Sequence, residues 1–330
     1  LKMSNEHKIK KICVVGAGRW GLNHVNALNR LNALGGVVDR DTNVRNKILT
    51  LFPDCEIYSS LEESFNRGFD GYVVSSPASS HFEIAKKIIE QKKSVLVEKP
   101  ITLNLKDAIK LNELSKLNQV NLMAGHLLLF HPAFVKIKEL IDGNKIGEVN
   151  YIYSNRLNLG SFRNDENVLW SFAPHDISLF NYFFSDSPEK IISSGVDILQ
   201  KGIHDTSITT FKYPNEKMGH IFVSWLHPFK EHRFIIIGSN GMLSFEDVGH
   251  EKPLIFYDKT VDLSGPLPKS NSGNEYEIEY DDYMPLDAEL KYFISKIDSG
   301  IIEIADGDSA VEVMKAVSYT HLTLPTTPYV

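Results

Sequence analysis

One short segment limits what this chain can fold into more than any other. Lys11-Ile-Cys-Val-Val15 is an apolar run that ends in Gly16-Ala-Gly18-Arg19-Trp20-Gly21, and beyond it Leu22, Val25, Leu28 and Leu31 recur at helical spacing. A short apolar run that gives way across a glycine turn to apolar residues at helical spacing predicts strand, tight turn and helix. A second strand, Gly36-Val-Val38, then ends in Asp39, 23 residues after Gly16.

The alternation persists. A third strand near 56–58 leads into Ser60-Leu-Glu-Glu63, which has capping-box spacing. Tyr72-Val-Val74 precedes Ser75-Ser76-Pro77-Ala-Ser-Ser-His81 and a helix with Ile84, Ala85, Ile88 and Ile89 on one face. Val95-Leu-Val97 precedes Glu98-Lys99-Pro100 and a helix through Leu114, and 120–124 forms a last strand. Such alternation predicts an α/β fold, a doubly wound parallel Rossmann sheet with helices on both faces, over residues 1–124.

Beyond Gly125 the rhythm changes. Helices are predicted over 133–142 and 174–184, strands over 151–159, 191–199, 206–213, 219–226, 234–237 and 242–245, a surface loop over 264–274, and helices again after Asp287. The strands lack intervening helices long enough for parallel crossovers, which predicts a C-terminal α+β domain, 125–317, with a largely antiparallel open sheet. Two domains agree with 330 residues at about 150 per domain.

The ends read differently. Position 1 is Leu, and the first methionine is Met3, so the natural start is expected at Met3 or lost. After a helical run to about Val317, the stretch 318–330 resembles one reading frame of a transposase-type sequencing-library adapter. It is expected to be non-native, with His321 functionless and the natural C-terminus missing.

Composition excludes several classes. The balance of 35 basic and 42 acidic residues, net −7, with no basic stripe, argues against a nucleic-acid partner. Although 42% of the residues are hydrophobic, no stretch approaches the roughly 20 apolar residues that span a bilayer. Two cysteines cannot build a disulfide framework, and no Asn-x-Ser/Thr site occurs, so a cytoplasmic location is expected. Cys13 reads as a buried strand residue and Cys55 as a loop or edge residue, not as a nucleophile pair.

The glycine segment carries chemistry. Gly16, Gly18 and Gly21, with Arg19 and Trp20 between them, let the backbone turn tightly and approach a pyrophosphate at a helix N-terminus. Asp39 stands where a carboxylate accepts hydrogen bonds from an adenosine ribose. It repels a 2′-phosphate and so favours NAD over NADP, with Arg40 beside it as the group able to accommodate that phosphate. Glu98-Lys99-Pro100 ends the fifth strand, the end at which doubly wound sheets bind ligands.

Together with the glycine turn and the 75–81 segment, Glu98-Lys99-Pro100 closely resembles the glucose-fructose oxidoreductase, inositol dehydrogenase and rhizopine-catabolism (Gfo/Idh/MocA) family, from Lys11 to about Val317. The resemblance implies that Ser76, Pro77 and His81 help bind the cofactor, that Glu98 contacts the nicotinamide ribose, and that Lys99 reaches the reacting hydroxyl. It also implies a cis bond before Pro100. A lysine beside the cationic nicotinamide ring is expected to have a lowered pKa, and its ammonium favours a developing alkoxide.

Trp170-Ser-Phe-Ala-Pro-His175-Asp176-Ile-Ser178 resembles the family's second catalytic segment. Its usual form has an acid four residues before a histidine and another three after it. His175 matches the histidine and is the candidate proton acceptor, while Ser171 and Ser178 stand at the acid positions and Asp176 is adjacent. His126, in Gly125-His126-Leu-Leu-Leu-Phe-His131, is expected to face the cleft. No spacing matches a metal-ligand motif, so no metal is expected.

The segments 153–170 and 223–230 resemble a subgroup of UDP-N-acetylglucosamine (or uronic acid) 3-dehydrogenases, which make a 3-keto sugar for an aminotransferase. Arg156, Arg163 and Lys230 are candidates for a diphosphate, Asn158 for sugar hydroxyls, and Trp170 or Trp225 for a ring face. The implied activity is NAD-dependent oxidation of a secondary ring hydroxyl at C3, in a homodimer or homotetramer that covers the outer face of the open sheet. Three alternatives stand beside it: an NAD-using glycosidase, an inositol or free-sugar dehydrogenase, and a non-catalytic NAD and sugar sensor.

Overall fold

The computed structural model describes residues 9–323, apart from 161, 164, 165, 263 and 299, with side chains described as far as 318. The chain divides into two compact units, Leu1–Phe130 with Tyr283–Val311, and His131–Asp282 with Glu312–Val330. The first therefore reaches six residues past the boundary expected at 124, and it reclaims a C-terminal segment that the sequence assigns to the second domain. The reason is packing. A helix over Pro285–Lys296 lays its buried Leu286, Leu290 and Phe293 into the first unit, where Phe293 closes on Gly71.

In the first unit the order is β1 Ile12–Val15, α1 Gly21–Arg30, β2 Leu34–Val38, α2 Thr42–Leu51, β3 Glu56–Tyr58, α3 Leu61–Ser64, β4 Gly71–Val74, α4 His81–Glu90, β5 Ser94–Glu98, α5 Leu105–Asn118 and β6 Leu122–Gly125. The strands form one parallel sheet in the order β3-β2-β1-β4-β5-β6. Strands β1, β4 and β5 are buried at every position, as expected of a sheet covered on both faces. Burial pushes the Cys55 thiol up to about 12 and that of Cys13 well above its usual value, so neither is a ready nucleophile. At the start of α3, Glu63 accepts from Ser59 and Ser60, although the Ser60 side chain bonds no backbone N–H.

In the second unit α6 is Pro132–Asp142, β7 Val149–Leu157, α7 Val168–Phe184, β8 Lys190–Val196, β9 Thr206–Lys212, β10 Met218–Ser224, β11 Glu231–Gly238, β12 Met242–Glu246 and β13 Leu254–Tyr257. After β14 Thr260–Asp262, β15 Lys269–Asn271 and β16 Glu275–Glu277, the chain runs into α8 Pro285–Lys296 and α9 Gly307–Thr323. The eight-stranded sheet has the order β16-β13-β12-β11-β7-β10-β9-β8 and is antiparallel except where β7 pairs with β10. Helices α6 and α7 cover one face, with Phe134 and Phe180 against Phe234, and Phe180 is so close to β10 that a Cβ on Gly219 would stand 2.6 Å from it.

Three local readings change. The second long helix starts at Val168 rather than Pro174, because the Asn167 side chain caps it by accepting from Trp170 N–H at 3.0 Å. Pro174 is inside the helix, not at its first position. Within 264–274, Lys269–Asn271 pairs with Thr260–Asp262, which makes a hairpin out of an expected loop. Finally, α9 continues to Thr323, six residues past the expected stop, since no helix breaker occurs before Pro325; the rest of the tail expected to be non-native lies outside the described residues.

Candidate active site

In the first unit, contacts that only glycine permits close the turn between β1 and α1. Gly16 has φ +88°, and a Cβ there would stand 2.6 Å from Ser76 N; one on Gly21 would stand 1.9 Å from the Gly16 carbonyl oxygen. A Cβ on Gly18, by contrast, would meet nothing within 4 Å. That open side lies at the start of α1, where unpaired N–H groups and the helix dipole attract an anion. Arg19 and Trp20 are exposed along the same turn.

Asp39 follows β2 and ties the turn to it. Its Oδ2 accepts from Ala17 N–H at 2.8 Å and its Oδ1 from Asp41 N–H at 2.9 Å. Arg45 braces this corner by donating to the carbonyls of Asp39 and Arg40, both at 2.8 Å, while the Arg40 side chain is exposed. His81 differs from its expected part as a cofactor contact. It is 1% exposed, and its ring nitrogens lie 2.9 Å from the Pro100 carbonyl and 2.8 Å from that of Ser76. It clamps the loop after β4 to the corner after β5, so it acts through Ser76, Pro77 and Pro100. The Lys99–Pro100 bond is cis, as the resemblance implies.

Glu98 is held by three groups. Trp20 Nε1–H donates to its Oε1, His24 Nε2 lies 2.7 Å from the same oxygen, and Lys99 N–H reaches Oε2 at 3.1 Å. Burial alone pushes the Glu98 carboxyl up; the bond and attraction from His24, then Trp20 and the Lys99 N–H, outweigh it and hold the group below the ordinary carboxylate range. His126 is 4% exposed beside this corner. Burial, partly opposed by Glu98 and reinforced by Lys99, pulls its ring down to about 4, so it is neutral at physiological pH. An open turn at a helix start, an acid after β2 and an ionised acid fixed next to Lys99 fit a dinucleotide such as NAD.

The second unit holds the other candidates, arranged differently. Asp176 is fully buried, with Ser154 Oγ–H donating to Oδ1 at 2.7 Å and Arg156 Nε–H to Oδ2 at 2.5 Å. The expected catalytic acid and the expected diphosphate ligand are therefore two halves of one internal ion pair. Adjacency to His175 is misleading because neighbours on a helix point about 100° apart: Asp176 faces β7 while His175 is partly exposed. Ser171 and Ser178 are buried, and Ser178 Oγ–H donates to the His175 carbonyl at 2.7 Å.

Asn158 is half-exposed just past β7, with its N–H on the Ser224 carbonyl, and Trp170 is half-exposed in the first turn of α7. Arg163 is 52% exposed and pairs with Glu166 at 3.0 Å; Lys230 is exposed in the loop before β11. Trp225, 1% exposed, is core rather than a platform for a sugar ring. Among the described residues no group of three or more His, Cys, Asp or Glu side chains is placed to hold a metal ion, and no helix is long and apolar enough to cross a membrane.

Two histidines escaped the sequence reading. His24 lies one turn into α1, three residues after Gly21, and only the turn that brings α1 back over β5 reveals its bond to Glu98. His232 pairs in register with Arg156 across β11 and β7; burial, then the charges of Arg156 and Lys230, pull it down to about 4.

Residues 10–126 match the oxidoreductase family described as having an NAD-binding Rossmann fold, and residues 134–244 match the GFO/IDH/MocA C-terminal domain. Myo-inositol 2-dehydrogenase of Thermotoga maritima is 25% identical over 88% of this chain and 89% of its own length. An uncharacterized oxidoreductase of Streptococcus pneumoniae is 25% identical over 58% of this chain, and the match spans only 56% of that protein. UDP-N-acetylglucosamine 3-dehydrogenase of Acidithiobacillus ferrooxidans shares the fold, with a TM-score of 0.83 at 20% identity over 95% of this chain and 97% of that one. A Rossmann sheet alone would match many unrelated enzymes, but here both domains of one family follow each other in order, and the chain belongs to the Gfo/Idh/MocA oxidoreductases.

Proposed function

We propose that this chain is an NAD-dependent dehydrogenase that oxidises a secondary ring hydroxyl, at C3, of a UDP-N-acetylhexosamine or its uronic acid. The observation that carries the reading is the Glu98–Lys99 corner, in which Trp20, His24 and the Lys99 N–H fix an ionised acid beside the lysine. Bound at the glycine turn and Asp39, NAD would supply the hydride acceptor. Glu98 would orient the nicotinamide ribose, Lys99 would stabilise the alkoxide, and His175 would take the hydroxyl proton. Sugar recognition would draw on His126, Asn158 and Trp170, and the diphosphate on Arg163 and Lys230, since Arg156 is occupied by Asp176.

One observation favours a second reading, an inositol or free-sugar dehydrogenase. Removing Arg156 from the diphosphate candidates leaves two exposed side chains, and the relative matched over most of both chains acts on myo-inositol. Nicotinamide absorbance measured with NAD and either the sugar nucleotides or inositols and free sugars tests both. NADH formed on a sugar nucleotide supports the first reading, NADH on a polyol alone supports the second, and absence of NAD binding overturns both.

We infer in addition that the chain self-associates and acts in the cytoplasm. In the second unit the sheet face opposite α6 and α7 carries Tyr151, Tyr153, Phe222, Ile235 and Ile237, with Tyr153 stacked on His220, and Ile192 and Ile208 are 48% and 52% exposed. A second copy of the chain is the occupant proposed for this face, as a dimer or tetramer. Light scattering on wild type and Ile208→Asp checks it, with dissociation expected for the variant. The oxidised sugar would then pass to an aminotransferase.

A further inference from the structure

In the second unit the helix-covered face of the sheet ends in a row of polar residues. Pleating puts every second residue of a strand on one face. The layer Ser154, Phe234 and Phe245, in register across β7, β11 and β12, is therefore followed by Arg156, His232 and Asp247. Asp247 N–H extends the ladder by donating to the His232 carbonyl at 2.8 Å. Phe234 and Phe245 pack against Phe134 of α6, and His131, at the start of that helix, has its ring 5.3 Å from Phe245. Side chains from three strands and one helix start thus gather at one end of the core.

Much of their hydrogen-bonding capacity is spare. Asp176 takes Nε–H of Arg156 and leaves the two terminal amino groups, although that side chain is only 13% exposed. His131 Nδ1 accepts from Ala133 N–H at 3.2 Å, so a neutral ring carries its proton on Nε2. That donor has no partner among the described residues, in a residue 8% exposed, and neither has the half-buried His232 ring. None of these spare groups is sealed from water, so a ligand can reach them. Charge points the same way. Lys252 pairs with Asp247 at 2.7 Å, and Lys230 acts on His232 from the preceding loop. Arg156, Lys230 and Lys252 set against Asp176 and Asp247 leave one positive charge over. A monoanion balances it, and the planar pair of terminal amino groups matches the two oxygens of a carboxylate.

We propose that Arg156, His131 and His232 bind a carboxylate of the substrate, so that the sugar oxidised is an acid, the uronic acid rather than the N-acetylhexosamine. The assignment to the substrate rests on the proposed sugar oxidation; the carboxylate site itself does not. A diphosphate carries more charge than the row leaves uncompensated, which keeps this site separate from the diphosphate candidates Arg163 and Lys230.

Two titrations of the full chain test this. The first follows nitrogen-15 signals of histidine-labelled protein as sodium D-glucuronate, sodium acetate or D-glucose is added, with His131 and His232 identified by their loss in His131→Gln and His232→Phe. Glucuronate is expected to shift both rings, at about tenfold lower concentration than acetate, and glucose to shift neither. No shift with either carboxylate, or the same shift with glucose, overturns the site; acetate as effective as glucuronate overturns its assignment to the substrate. The second titration measures, by calorimetry with NAD present, the affinities for UDP-N-acetylglucosamine and its uronic acid. Wild type is expected to favour the uronic acid about tenfold. Arg156→Lys keeps a charge for Asp176 but not the forked donors, so it should lose that preference while its affinity for UDP-N-acetylglucosamine stays. Should that variant not fold, His232→Phe takes its place. Equal affinities in the wild type, or an equal loss of both in the variant, overturn the proposal. If neither nucleotide binds, the reading of function fails, and the histidine signals still decide the carboxylate site.

Discussion

The corner after β5 and the middle of α7 were both expected to carry catalysis, yet they treat their acids in opposite ways. Glu98 receives donors from α1 and from its own chain neighbour while Lys99 remains beside it, so the fixed charge serves the position of a neighbouring group. Asp176 is locked onto Arg156 and Ser154 inside its own unit, so its charge serves packing. A carboxylate beside a candidate base in the sequence is therefore no guide to what it bonds. What decides is the element that approaches its face of the helix or strand.

The contrast can be broken at several points. The largest effect is expected at Lys99: Lys99→Ala should lower kcat/KM about 10³- to 10⁴-fold while NAD still binds, as steady-state kinetics and calorimetric titration can check. Next comes the buried pair, where Arg156→Ala leaves the buried Asp176 without its counter-charge and with only Ser154 bonded to it, and should cost about 3–5 kcal/mol in urea unfolding. The same change at exposed Arg163 should cost at most about 1 kcal/mol. Equal losses at the two arginines would erase the distinction drawn between them.

A third effect depends on pH. His126 is held near 4 when folded against an ordinary value near 6.5, so the unfolded chain binds the extra proton first. The stability that comes from a neutral His126 is whole above about pH 6.5 and is lost as pH falls towards 4, by about 3 kcal/mol in all. His126→Gln should flatten that part of the profile in unfolding curves from pH 7 to about 4; an unaltered slope would show that another group, such as His232, dominates. The smallest effect is at Trp20. Trp20→Phe removes one donor from Glu98 and should weaken NAD binding by about 1 kcal/mol, with fluorescence titration as the check.

The first unit was legible because its rules are local. Glycines at 16, 18 and 21, an acid after β2 and a strand ending in Glu98-Lys99-Pro100 each impose geometry within a few residues, and all stand where the parallel sheet puts them. Less local was His24, since only the return of α1 over β5 brings it to Glu98. In the second unit six of the strands and the mostly antiparallel sheet followed from runs without crossover helices between them, while the strands beyond Glu246 were missed; the Arg156–Asp176 pair needs a strand and a helix 20 residues apart to meet face on. Trp225 shows the same limit, since an aromatic residue at the end of a strand reads equally as platform or core until the layer above it is known.

The central claim is that Glu98 and Lys99 form the working corner of an NAD-dependent hydride transfer. Mass spectrometry of NAD recovered after incubation with a sugar nucleotide deuterated at the C3 ring carbon tests it most directly, in wild type and in Lys99→Ala. The account predicts deuterium on the nicotinamide ring with the wild type, and bound but unlabelled NAD with the variant. Equal labelling by both proteins, or a wild type that binds no NAD, would contradict it.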